Sequence, residues 1–174
     1  MRSRHRLALA AAVAAAVASS PTAIGSAQPP PPTAQDSDFL VAAHQGNLTE
    51  LASGAHAAVL GSCQPVRDIG AMLVADHARL EAMGGAVAVT NGIALPLTPT
   101  PDQSRQLTET GMKSGRDYDL AWLRMQEGFH TDTLQAATRE LGEGSAPQVT
   151  AVAQAATPVV EHHLALIRDA MGVC

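Results

Sequence analysis

Asn91-Gly-Ile-Ala-Leu-Pro-Leu-Thr-Pro-Thr-Pro101 divides the chain into two helical halves and decides how they connect. Its three prolines and Asn-Gly pair make it a connection, because proline removes a backbone donor and Asn-Gly favours a turn. Before it, one helix is expected from about Asp36 to Leu60, capped by Asp36-Ser-Asp38 and closed by Gly61. Leu40, Ala43, Asn47, Glu50, Gly54 and Ala57 recur at steps of three and four, so they share a stripe. A second helix starts at Pro65 and reaches about Thr90, with Val66, Gly70, Leu73, His77, Leu80, Gly84 and Val87 on its stripe. After the connection, a short helical turn over Asp102 to Thr110 precedes a third long helix from about Gly115 to Leu141. Leu120, Leu123, Glu127, His130, Leu134, Ala137 and Leu141 form its stripe, with Tyr118, Trp122, Met125 and Phe129 as a second apolar face. The fourth, about Ala146 to Val173, carries Val149, Val152, Ala156, Val159, His163, Leu166, Ala170 and Val173. Pro158 lies inside it and is expected to kink it ahead of His163.

Four helices of similar length, each with one apolar stripe, predict an all-α four-helix bundle. A helix of about 25 residues is about 38 Å long, and about 13 extended residues from Asn91 to Gln103 span roughly 43 Å. A long crossover between the second and third long helices is therefore within reach. Cys63 lies in the first inter-helix turn, and Cys174 is the last residue. In a simple up-down bundle these positions lie at opposite ends; with the crossover they share one end and can form a disulfide. The competing readings are two free thiols or a link between chains.

The N-terminus bears on compartment. Met1-Arg-Ser-Arg-His-Arg6 is a basic lead, Leu7 to Ala18 is an apolar run, and Gly25-Ser26-Ala27 supplies small residues for cleavage. The apolar run is shorter than the roughly 20 residues of a bilayer span. The expected organisation is a signal peptide over 1–27, a disordered Pro-rich lead over 28–37, and a bundle domain over 38–174, secreted or held in the cell envelope or periplasm. Removing Arg2, Arg4 and Arg6 from the 11 basic residues leaves 8 against 16 acidic ones, a net charge of −8. Nucleic acid is therefore a poor partner, and after cleavage no stable membrane span is expected.

In order along the chain stand Phe39-Leu-x-x-Ala-x-x-Gly-Asn-Leu-x-Glu50, Asp76-His77, Gly92-Ile-x-Leu-Pro96, Gly115-x-x-Tyr-Asp-x-x-Trp122 followed by His130, and Pro158-x-x-x-x-His163-Leu. Together they resemble the exported bacterial domain-of-unknown-function family 4142, over about Asp38 to Met171. The resemblance implies a ferritin-like four-helix fold and no established activity. Members of that family typically carry Phe and Tyr where this chain has Tyr118 and Trp122, and the cysteine pair is not a general family feature.

Glu50, His77 and His163 lie about 10 to 12 residues from the end where the first two helices join, and Glu127 and His130 are close to that depth. At about 1.5 Å per residue they fall in one layer. Three imidazoles and two carboxylates in a bundle core form a donor set for zinc, manganese, iron or copper. Glu127-Gly-Phe-His130 also places both side chains on one helix face. Asp76 and Glu161 point off the stripes; His44, His56 and His162 sit away from the best face of their helices. The first reading is a metal site at Glu50, His77, Glu127, His130 and His163. The alternative is a structural or interaction module of the envelope whose His/Glu layer only sets helix register. No catalytic constellation is recognised in the sequence: neither cysteine has a convincing catalytic neighbour, and the serines cluster in caps and loops.

Overall fold

Thr33 starts the first helix. In the computed structural model, which describes residues 30–174, helices run over Ala34–Leu60 (α1), Gln64–Thr90 (α2), Pro101–Gly111 (α3), Gly115–Glu143 (α4) and Pro147–Met171 (α5). The expected signal peptide lies outside the described residues. The sequence pointed to Asp36 as the cap of α1; Asp36 is instead the third helical residue of a capping box. Its carboxylate accepts from Thr33 N at 2.6 Å while Thr33 Oγ1 accepts from Asp36 N at 3.4 Å. The helix thus takes in residues 34–37, which the sequence assigned to the Pro-rich lead. Cys63 caps α2, so Pro65 is its second residue rather than its first.

α1 packs against α2 and α4, and α5 packs against α4 and α2. Contacts at both ends show that neighbours are antiparallel. At one end Cys63 and Cys174 form a disulfide with Cα atoms 5.8 Å apart, and the Asp119 carboxylate of α4 accepts from Ser62 N at 3.0 Å and Cys63 N at 2.8 Å. At the other end Asp36 accepts from Ser145 N and Ala146 N, both at 3.0 Å, and Gln148 donates to Asn91 Oδ1 at 3.0 Å. Each buried aspartate ties the start of its own helix to the turn of the opposite hairpin. Burial raises the Asp36 pKa, but the hydrogen bonds from Thr33, Ala146 and Ser145 together outweigh it and hold the carboxyl well below its ordinary range.

The long crossover is present, and its length is shared between two elements. Residues 91–100 run along α1, where the two ring nitrogens of His44 meet Glu81 Oε1 and Pro96 O, each at 2.7 Å, and Gln45 donates to Thr98 O at 3.1 Å. Helix α3 completes the crossing against α1 and α4. It begins at Pro101 because Thr100 and Gln103 form a second capping box, so less of the connection stays extended than the sequence implied.

Burial departs from the expected stripes in the C-terminal hairpin. In α5 Val149, Val152, Ala156, His163 and Ala170 of the expected stripe are buried, but Val160, Leu164 and Ile167 are buried beside them, while Val159 and Leu166 are only half-buried and Val173 is exposed. A seam read at alternating steps of three and four has a period of 3.5, and a straight helix drifts from it by about 20° per heptad. In α4 Tyr118, Trp122 and Met125 of the second face are buried together with Leu123, His130 and Ala137 of the expected stripe, while Glu127 is half-buried and Leu141 is exposed. Large rings remove the most apolar area from water. α5 is continuous through Pro158, which is exposed.

At the first hairpin, α1 and α2 approach through glycine. A Cβ on Gly54 would lie 2.7 Å from Gly70 O, and one on Gly70 would lie 2.7 Å from Gly54 O. Gly54→Ala is expected to cost about 1–3 kcal/mol, because backbone must move to admit the methyl group. Gly46→Ala on the same helix meets nothing within 4 Å and is expected to add roughly 0.5–1 kcal/mol by restricting the unfolded chain. Urea denaturation of the two variants measures both signs.

Two apolar clusters fill the bundle. One, at the disulfide end, centres on Leu73, Trp122, Leu123 and Ile167; the other, at the far end, centres on Phe39, Leu40, Val149 and Val152. Between them in sequence, on every long helix, stand Glu50, His77, His130 and His163.

Candidate functional site

His77 from α2, His130 from α4 and His163 from α5 converge in the layer between the clusters, at 4%, 1% and 0% exposure. Ring centroids are 5.4 to 5.7 Å apart, and one ring nitrogen from each lies within 4.8 Å of the other two. Asp76, Asn47, Gln126 and Glu50 surround them.

Hydrogen bonding fixes which nitrogens face inward. Asn47 Nδ2 donates to Glu81 Oε2 at 3.2 Å, so its Oδ1 is left to accept from His77 Nδ1 at 2.9 Å. His130 Nδ1 donates to Gln126 O at 2.9 Å. His163 Nε2 donates to Asp76 Oδ2 at 3.2 Å. Each ring spends its one N–H on an outer oxygen and keeps a lone pair on the other nitrogen. His130 Nε2 and His163 Nδ1 then face each other at 3.3 Å, while His77 Nε2 is buried without a partner. Facing lone pairs repel unless a cation lies between them. Two nitrogens of a tetrahedral zinc site at about 2.05 Å from the ion are roughly 3.3 Å apart, the same spacing. Outer oxygens that fix the ring tautomer are the usual surroundings of ligating histidines.

Of the five residues singled out from the sequence, three meet. Glu50 is buried beside them, its Oε1 3.8 Å from His130 Nδ1 and its Oε2 unpartnered. Glu127 does not join the layer: half-buried at the surface, it accepts from Arg168 Nε at 2.8 Å. The Glu-x-x-His step put it on the same side as His130, but the aromatic face rotates α4 and carries it outward. Asp76 was set aside as off the stripe, yet a residue next to the α2 seam reaches the neighbouring helix α5 and finds His163. Gln126 gave no signal in the sequence, since it is its backbone carbonyl that meets His130. His162 is exposed, and His56 contacts Tyr118 Oη at 2.9 Å, away from the centre.

A model of a family described as a domain of unknown function, DUF4142, matches residues 21–170. The chain belongs to the DUF4142 family. Among solved structures this DUF4142 bundle is similar to the crystal structure of a DUF305 fragment from Deinococcus radiodurans. The TM-score is 0.74 at 14% identity, covering 83% of this chain and 100% of that one, a likeness of fold. No curated protein matches.

The DUF4142 layer is electrostatically unusual. Burial, then the neighbouring His130 and His163, push His77 down to about 3. Burial, against the Gln126 carbonyl, takes His130 to about 4, and burial also lowers His163 despite Asp76. Burial raises the Glu50 carboxyl to about 8 against hydrogen bonding from Gln126 and Ser53. At neutral pH the layer is therefore three neutral imidazoles beside a protonated acid.

A lowered histidine stabilises the fold above its unfolded pKa, and that contribution is lost as pH falls towards its folded value. For His77 the window runs from 6.5 to about 3. Measured with chelator present, the stability of His77→Leu relative to wild type is expected to rise by about 1.4 kcal/mol per pH unit below 6.5. A difference that stays flat from pH 7 to 4 would show that the ring protonates freely in the folded chain.

Proposed function

We propose that this chain is an exported, ferritin-like bundle that binds one transition-metal ion through His77 Nε2, His130 Nε2 and His163 Nδ1. The observation that carries this reading is the inward-facing set of lone pairs, each fixed by an outer oxygen, with two of them 3.3 Å apart. Three imidazole nitrogens with no thiolate suit zinc and copper, then iron; manganese, which prefers oxygen donors, ranks last. Three protein ligands also leave a coordination position open, as in sites that act on a bound molecule. Asp76 would orient His163, and Asn47, held by Glu81, would orient His77.

Export is supported by the basic and apolar N-terminal pattern and by the Cys63–Cys174 disulfide, since such bonds persist in oxidising compartments. Among the described residues no helix is long and apolar enough to cross a membrane.

Calorimetric titration of untagged protein with zinc(II) and copper(II) tests the metal reading. One ion per chain is expected for wild type, and none at this site for His130→Leu. If the wild type takes up neither these ions nor iron or manganese, the histidines serve packing and helix register alone.

A further inference from the structure

A cavity of about 250 Å³ opens between the helices on the far-end side of the histidine layer. Phe39, Leu40, Phe129 and Val160 give it an apolar part, and Glu50, His77 and Glu81 are among the polar residues that line it as well. Small side chains make the space. Gly46 and Gly84 line it, and a Cβ on either meets nothing closer than Val152 Cγ1 at 3.9 Å from Gly84. The contrast with Gly54 and Gly70 is informative: there glycine permits two backbones to touch, whereas here it leaves volume unfilled.

Glu50 is 3% exposed and its Oε2 has no hydrogen-bond partner. A buried, unpaired polar atom costs free energy that a hydrogen-bonding ligand would recover. We propose that this cavity is a binding site for a small molecule with an apolar body, no negative charge and one hydroxyl group, which hydrogen-bonds to Glu50 Oε2.

Size and charge narrow the ligand. A cavity of about 150 Å³ holds benzene, so this one admits a ring with a short substituent. No lysine or arginine lines the cavity, and Asp102 and Asp132 stand among its lining residues, so an anion finds no counter-charge. The inference does not depend on a metal ion at the histidines.

Three probes of similar size separate the possibilities: benzyl alcohol, ethylbenzene and benzoate, titrated into the full bundle and followed by NMR chemical shifts. Saturable benzyl alcohol binding is expected, at least threefold tighter than ethylbenzene and at least tenfold tighter than benzoate. Glu50→Leu should erase the preference over ethylbenzene, and Glu50→Gln should keep it. Gly84→Leu should fill the chamber and abolish binding; Ala43→Leu, from the opposite wall, does the same if the first variant fails to fold. Running each titration with chelator and again with zinc keeps the outcome separate from metal binding. Absence of saturable benzyl alcohol binding to wild type, binding that survives a folded cavity-filling variant, or tighter binding of benzoate would overturn the proposal.

Discussion

Reducing the Cys63–Cys174 disulfide is expected to lower the melting temperature by roughly 10–20 °C. The bond joins positions 111 apart in sequence, and in the chain-entropy model a loop of that length restricts the unfolded ensemble by about 5 kcal/mol, an upper figure. For a domain of this size each kcal/mol corresponds to roughly 3–5 °C. The bond also fastens the C-terminus after α5 to the turn that Asp119 already holds. Its loss should therefore free the last turn of α5 while Asp119 keeps its grip on Ser62 and Cys63. Thermal unfolding of Cys63→Ser/Cys174→Ser, beside wild type with and without reductant, measures the effect. A shift below about 2 °C, with both thiols titrated as free, would remove the disulfide from the account of stability.

Metal is expected to act in the opposite direction. At a thousandfold excess over Kd, an ion that binds only the folded chain adds about 4 kcal/mol, a rise of more than 10 °C in the melting temperature. His163→Leu and His130→Leu should lose that rise entirely. The pH dependence carries the sign of the buried histidines. Protons compete with metal at the folded-state values, about 3 for His77 and about 4 for His130. The rise should thus persist at pH 6, where an ordinary histidine is largely protonated, and vanish near pH 4. Loss of the rise already at pH 6 would mean that the buried rings protonate more readily than their burial implies.

The sequence made the architecture legible because helix signals are local. Pro65, Pro101, Gly61 and the Asn91–Pro101 connection marked element boundaries to within a few residues, and the cysteine positions pointed to the crossover. The histidine layer was legible too, since His77, His130 and His163 stand on largely apolar stripes at matching depth. What escaped was rotation about the helix axis. Whether Glu127 or Gln126 faces inward depends on which face of α4 wins burial, and Tyr118, Trp122 and Met125 decided that through contacts with other helices. Asp76 escaped for a related reason: a side chain one position off the seam reaches an adjacent helix, and adjacency follows from the tertiary arrangement. The cap at Thr33 was available as a Thr-x-x-Asp pattern but was overshadowed by the acidic pair that follows it.

Metal content, measured by elemental analysis of untagged wild-type protein and of His163→Leu purified side by side, tests the central claim most directly. The account predicts close to one equivalent of zinc, copper or iron in the wild type after exposure to the metal and desalting, and background levels in the variant. Background levels in both, from folded and disulfide-bonded protein, would contradict it.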